Sequence, residues 1–213
     1  MVLDIIELLK VIVLGIVEGI TEWLPVSSTG HMYLLDEFWG MNVSAEFREV
    51  FMVVIQLGAI LAVLVLFWSK IFPFGLEKKE DENGAMKRVV KAKKDVLSLW
   101  LKVIVACLPA AVIGFLLDDI LDEYLYNGIT IAVTLIVYGV AFILVENRNK
   151  GRIPRMETTA DIDYKTALLI GAFQVLALVP GTSRSGATVI GALLIGVSRP
   201  AAAEFTFILA IPV

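Results

Sequence analysis

Residues 15–31 read Gly15-Ile-Val-Glu18-Gly-Ile-Thr-Glu22-Trp-Leu-Pro25-Val-Ser27-Ser28-Thr29-Gly30-His31. An apolar, helical run carries two carboxylates and then breaks at a proline, followed by three hydroxyl residues, a glycine and the one histidine of the chain. Such a break cannot face lipid, because unpaired backbone groups in hydrocarbon cost several kcal/mol each, so this stretch predicts a broken helix shielded by protein. A second stretch repeats it. Gly15-Ile16-Val17-Glu18 matches Gly171-Ala172-Phe173-Gln174, and Pro25 to Gly30 matches Pro180-Gly181-Thr182-Ser183-Arg184-Ser185-Gly186. In each copy the first and last glycine are 15 positions apart. Glu49 and Glu204 then each precede an apolar run at nearly the same offset, which marks a duplicated unit.

The composition fits a membrane setting. Of 213 residues, 58% are apolar and 19% charged, with a mean hydropathy of +0.84. Most of the charges lie in 69–95, 118–123 and 146–165, leaving uncharged runs of bilayer length between them. Disorder is excluded by the apolar content, a disulfide framework by the single Cys107, and nucleic-acid binding by a net charge of −4. Asp4 and Glu7 before the first apolar stretch argue against a cleaved signal peptide.

Three simple spans are expected at Val50–Trp68, Val96–Leu117 and Ile129–Val145, the last short enough to tilt little. Lys70, Lys78, Lys79, Lys87, Arg88, Lys91, Lys93 and Lys94 make the 69–95 loop basic, and Arg148, Lys150, Arg152, Arg155 and Lys165 follow the third span. The positive-inside rule puts both on the cytoplasmic side. The 118–128 turn, with Asp118, Asp119, Asp122 and Glu123, faces outward, as does 31–49 with Arg48 alone. Lys102, one turn inside its span, is expected to snorkel, and Pro109 and Gly114 to kink the helix or pack closely. Three spans separate the two broken segments. If each dips in and returns on one side, the copies are inverted, a relation favoured by Asp4 and Glu7 against Lys10, and by Arg199 before Glu204. If each crosses fully, they are parallel. The fold class is thus all-α: a polytopic integral membrane protein with inverted repeats and two re-entrant helix-loop-helix segments. It forms a single transmembrane domain over 1–213, with repeat one at about 1–117 and an incomplete repeat two at about 118–213.

Glu18 and Glu22 lie on one helix face, where intramembrane carboxylates cost at least ~2.5 kcal/mol unless they meet cations, protons or metal. Ser27, Ser28 and Thr29 lead to His31, a base or nucleophile in the functional reading and a structural histidine in the plain one; the hydroxyls otherwise cap a short helix. Arg184, the one charge in 166–198, is flanked by Ser183 and Ser185 in a glycine-bounded loop suited to phosphate. Its plain alternative is an ion pair to Glu18 or Glu22. Facing one another, the two loops hold an inventory for phosphoryl transfer.

The motifs Glu18-x-x-x-Glu22-x-x-Pro25-x-Ser27-Ser28-Thr29-Gly30-His31, Gln56-Leu57-Gly58-Ala59-Ile60-Leu61 and Pro180-Gly-Thr-Ser183-Arg184-Ser185-Gly186-Ala-Thr188 closely resemble the bacterial undecaprenyl-diphosphatase (bacitracin-resistance) family. The resemblance runs the length of the chain. It implies hydrolysis of undecaprenyl diphosphate to undecaprenyl phosphate and phosphate, recycling the lipid carrier of peptidoglycan synthesis, in the plasma (inner) membrane with the site facing outward. On it, Glu18, Glu22, Ser28, His31 and Arg184 are the expected catalytic residues; Ser27, Thr29, Gln56, Ser183, Ser185 and Thr188 are expected to bind substrate. Glu18 and Glu22 either relay protons or hold a divalent cation, Mg²⁺ or Ca²⁺. The nucleophile is Ser28, His31 or water. The expected partners are a polyprenyl diphosphate lipid and the bilayer, without nucleic acid, and a homodimer is allowed. The second reading is a lipid-phosphate transporter or flippase, since inverted repeats with broken helices are also a transporter architecture; a third is a phosphatase for shorter prenyl diphosphates. Relative to the family, the chain is expected to lack C-terminal helices.

Overall fold

The computed structural model describes residues 5–80, 86–125 and 127–213, with side chains described outside 76–89, 118–120 and 122. Asp4, counted above toward orientation, lies outside the described residues, as do the side chains of Lys78, Lys79, Lys87, Arg88, Asp118, Asp119 and Asp122. The chain is overwhelmingly helical. Helices α1 (Ile5–Trp23) and α2 (Ser28–Trp39) form a hairpin, followed by α3 (Ala45–Leu66) and the single turn α4 (Trp68–Ile71). Strands β1 (Phe74–Glu80) and β2 (Met86–Ala92) pair antiparallel, Phe74 opposite Ala92 and Glu80 opposite Met86. Then come α5 (Lys94–Leu125), α6 (Gly128–Asn149), α7 (Tyr164–Gln174), a 3-10 turn (Val175–Leu178), α8 (Arg184–Ile195) and α9 (Arg199–Leu209).

Among the described residues three helices are long and apolar enough to cross a membrane: Ala45–Leu66, Lys94–Leu117 within α5, and Gly128–Asn149. Their apolar side chains point outward, with Val65 76% and Phe115 89% exposed. Water would not tolerate so many exposed large hydrophobics; lipid does, so the chain is a multi-pass membrane protein. The outermost turns differ from the sequence expectation. Ser44 caps α3 by accepting from Phe47 N at 3.3 Å, so the helix starts five residues before Val50. The acidic 118–128 stretch is not a turn: α5 continues to Leu125, because nothing before Asn127-Gly128 breaks a helix, and Asn127 Oδ1 accepts from Thr130 N at 2.9 Å to begin α6. The third span is not short, since α6 runs 22 residues, about 33 Å at 1.5 Å per residue. The β hairpin was not foreseen in the basic loop.

Both broken segments fold back on themselves. At the open end of the first hairpin, Lys10 Nζ donates to Gly40 O at 2.8 Å and Asn42 N donates to Glu7 Oε2 at 3.1 Å, so the start of α1 and the end of α2 lie side by side. The return of the second is fixed by helix packing: a Cβ on Gly191 of α8 would strike the Phe173 ring of α7. A Cβ on Gly171 would likewise strike the Ala106 carbonyl, so α7 approaches α5 at backbone distance, the small-residue contact on which packing in lipid depends. The main core joins α5, α7, α8 and α9 through Val103, Ile170, Ala192, Phe205 and Ile208, all fully buried. A smaller one at Leu14, Met32 and Met41 seals the first hairpin. Gly114 packs close, with Leu178 3.4 Å from where its Cβ would lie. Lys102 does not reach open water: it is 9% exposed and its ammonium donates to Ala160 O at 3.1 Å, tying α5 to the loop before α7.

Candidate active site

The two loops meet. A Cβ on Gly186 would lie 3.1 Å from Pro25 O, and Thr134 Oγ1 of α6 donates to Pro180 O at 2.8 Å, fixing the second tip. Gly181 there has φ +83°, and a side chain would run into the Ile131 backbone and Thr134. Each loop ends in a serine that caps the next helix. Ser27 Oγ accepts from Gly30 N at 3.2 Å and Ser183 Oγ from Gly186 N at 3.0 Å, so these residues correspond at a spacing of 156, as Glu18 and Gln174 do. The capping alternative for Ser27 is therefore present, and Ser28 is left free of that task.

Glu22 joins the two hairpins. Its Oε2 accepts from Ser28 Oγ at 2.6 Å and its Oε1 from Arg184 Nη2 at 2.9 Å. The ion-pair alternative for Arg184 is thus realised, with Glu22, and both side chains remain about a quarter exposed, at 26% and 21%. A 170 Å³ cavity opens beside them, lined by Glu22, Ser27, Ser28, Thr29, Gln56, Thr182, Ser183 and Arg184. Ser28, Thr29 and Gln56 also line a 410 Å³ cleft against α3 that reaches Glu18 and Arg48. Glu18 is 2% exposed and its Oε1 has no hydrogen-bond partner. Gln174, its counterpart, is equally buried with an unpartnered Oε1.

Not every expected residue reaches this space. His31 Nδ1 donates to Ser27 O at 2.8 Å, the same carbonyl that accepts from His31 N at 3.2 Å. A carbonyl only accepts, so Nδ1 is the donor in this bond. His31 lines none of the cavities described here. Ser185 Oγ bonds Ser183 Oγ at 3.2 Å, and Thr188 is fully buried, its hydroxyl shared between Arg184 O at 3.0 Å and Ser185 O at 3.1 Å. Thr206 donates to Thr188 at 3.0 Å, bracing the helix turn that carries Arg184. Thr134 and Thr206 escaped the sequence reading, since a threonine in an apolar span usually bonds its own helix and nothing marks the one that reaches across.

A divalent cation fits two carboxylates one turn apart, one with a free buried oxygen, if substrate oxygens and water complete its shell. Among the described residues no cluster of three or more His, Cys, Asp or Glu side chains could hold one by itself.

The family model described as bacitracin resistance protein BacA matches residues 11–213. An undecaprenyl-diphosphatase of Enterococcus faecalis is 64% identical over 212 residues, covering 100% of this chain and 74% of the relative. That of Acetivibrio thermocellus is 62% identical over 208 residues, covering 98% and 73%. Undecaprenyl-diphosphatase 1 of Clostridium acetobutylicum is 56% identical over 209 residues, covering 98% and 73%.

Proposed function

The chain belongs to the bacitracin resistance protein BacA family, and from that premise we propose how Glu22, Ser28 and Arg184 serve its reaction. The protein is a hydrolase that converts undecaprenyl diphosphate to undecaprenyl phosphate and phosphate, and so confers bacitracin resistance. Transport is not favoured, because the relatives are named as diphosphatases. The observation that carries the assignment of roles is the bridge of Glu22 to Ser28 on one hairpin and to Arg184 on the other.

Arg184 turns from Glu22 to the terminal phosphate of the substrate and stabilises the charge that builds there, the main contribution a protein makes to phosphoryl transfer. Glu22 is left with the Ser28 hydroxyl alone. Ser28 Oγ passes its proton to Glu22 and attacks the terminal phosphorus; the bond to the bridging oxygen breaks with its electron pair, releasing undecaprenyl phosphate. Glu22 gives that proton to the departing oxygen. Water then displaces phosphate from Ser28, with Glu22 taking the water's proton and returning it to Ser28 Oγ as the bond to phosphorus breaks. Thr29, Gln56 and Ser183 line the same cavity and bind the diphosphate oxygens. Ser27 and Ser185 hold the loops. His31 fixes the Ser27 carbonyl, and with it the direction of Ser28 one residue on. A cation held by Glu18 and Glu22 would neutralise the diphosphate. By the positive-inside rule the basic 69–95 and 146–165 segments are cytoplasmic and the site faces outward from the bacterial inner membrane. One chain supplies both loops, so the chemistry does not call for a homodimer.

The test is phosphate release from undecaprenyl diphosphate by detergent-purified protein without a gradient. Glu22→Gln and Ser28→Ala should each lower kcat by about 10²–10⁴. Rapid quench with substrate labelled in the terminal phosphate should place label on Ser28; turnover of Ser28→Ala within threefold of the parent would remove the nucleophile assignment.

A further inference from the structure

The largest cavity described in the molecule lies away from the hairpin tips. It measures 720 Å³ and sits between the C-terminal end of α6 and the turn joining α8 to α9. Thr134, which holds the second tip, and Glu146, which lines this cavity, are twelve residues apart on α6, about 18 Å along the helix. Five cations line it, Arg148, Lys150, Arg152, Arg155 and Arg199, against the single carboxylate of Glu146. Glu146 is taken by Arg199 at 3.1 Å, and among the described residues no carboxylate pairs with the other four. In a chain of net charge −4 this is a local concentration of positive charge that the protein itself does not neutralise.

The wall is held by main-chain bonds rather than by the cations. Arg155 N donates to Gly196 O at 2.8 Å, Ser198 N donates to Met156 O at 2.7 Å, and Met156 and Val197 form a parallel bridge. The rim is apolar: Ile153 is 89% exposed and Leu194 42%. Cations within a preformed cavity beside exposed aliphatic side chains, at the end of a membrane-spanning helix, match a ligand with an anionic head and an acyl tail.

We propose that this cavity binds the phosphodiester headgroup of an anionic membrane phospholipid, at a site separate from the one that hydrolyses the diphosphate. Ile153 and Leu194 meet the acyl chains, and Arg148, Arg152 and Arg155 meet the phosphate. The site does not depend on which residues carry catalysis.

The experiment is thermal unfolding of the detergent-purified full chain titrated with phosphatidylglycerol, phosphatidylcholine or inorganic phosphate, with lipid retained through purification measured by mass spectrometry. Phosphatidylglycerol should raise Tm and be retained over phosphatidylcholine. Arg148→Gln/Arg152→Gln/Arg155→Gln should weaken the phosphatidylglycerol response about a hundredfold, from roughly fivefold for each of the three cations lost. Phosphate release in lipid-free detergent should be unchanged. Arg152→Gln alone, on an exposed side chain, serves if the triple variant does not fold. Equal response to both lipids, or an unchanged response in the variants, would overturn the site. A shift reproduced in full by inorganic phosphate would make it a free-anion site and overturn the lipid assignment.

Discussion

Ser27 carries the first loop at an unusual backbone angle. Its φ of 69° is the one positive value among the described non-glycine residues, a region that disfavours a Cβ, yet its hydroxyl caps α2 and its carbonyl takes both bonds from His31. Strain and function are joined there. Ser27→Ala keeps the strain and loses the cap, and should cost about 1 kcal/mol, read as a lower Tm in detergent. Ser27→Gly relieves the strain and should stay within about 1 kcal/mol of the parent. His31→Asn should retain turnover within about tenfold, because an amide N–H can still donate to Ser27 O, whereas a base or nucleophile at Nε2 would make it as inactive as His31→Ala, a loss of about 10²–10⁴. At this scale the sequence marked the residue types that surround the cavity. It did not reveal that Arg184 and Ser28 share Glu22, nor that the His31 ring turns to a carbonyl, because side-chain pairing across hairpins depends on how the tips pack.

The elements were legible where hydrophobic runs and breakers agree, and misjudged where charge was taken for a loop. Asp118 to Glu123 lie in α5 because carboxylates do not end a helix, while Asn127 and Gly128 do. The segment before α7 shows charge acting as local structure instead. Asp163 Oδ1 accepts from Thr166 N at 2.7 Å, and Asp161 Oδ2 from the N–H groups of Glu157 and Thr158 at 3.1 and 2.9 Å. Bonds from Thr166 hold the Asp163 carboxyl below its ordinary value, and those from Thr158 do the same for Asp161. A carboxyl depressed in the folded state stabilises fully above its unfolded value and loses that contribution as pH falls through the folded one. Stability should therefore drop on acidification through and below the ordinary carboxylate range, and Asp163→Asn, which can still cap α7, should flatten that part of the Tm–pH curve. Gly171→Ala should cost about 1–3 kcal/mol, since the Ala106 carbonyl it meets belongs to rigid backbone; normal Tm would show that α5 and α7 can separate.

Across the whole molecule, the duplication read from glycine spacing corresponds to two helical hairpins whose caps, at Ser27 and Ser183, occupy matching positions. Matching Pro25 to Pro180 had offset the loops by one residue; the caps align them without a gap. The copies then differ at two positions of the proposed site: Ser28 corresponds to Arg184, and buried Glu18 to buried Gln174. Gln174→Glu should test that asymmetry. A second fully buried carboxylate without a cation should cost at least about 2 kcal/mol and lower Tm, while Glu18→Gln should leave Tm unchanged or raised and reduce phosphate release.

The contact of Gly186 with the Pro25 carbonyl also sets an order of assembly. The ribosome makes Glu22 and Ser28 more than 150 residues before Arg184, an interval of about 8–30 s at 5–20 residues per second. Through that interval the first polar tip has no second tip to close it, so whatever guides insertion must keep an acidic, proline-broken hairpin out of lipid until its other half arrives.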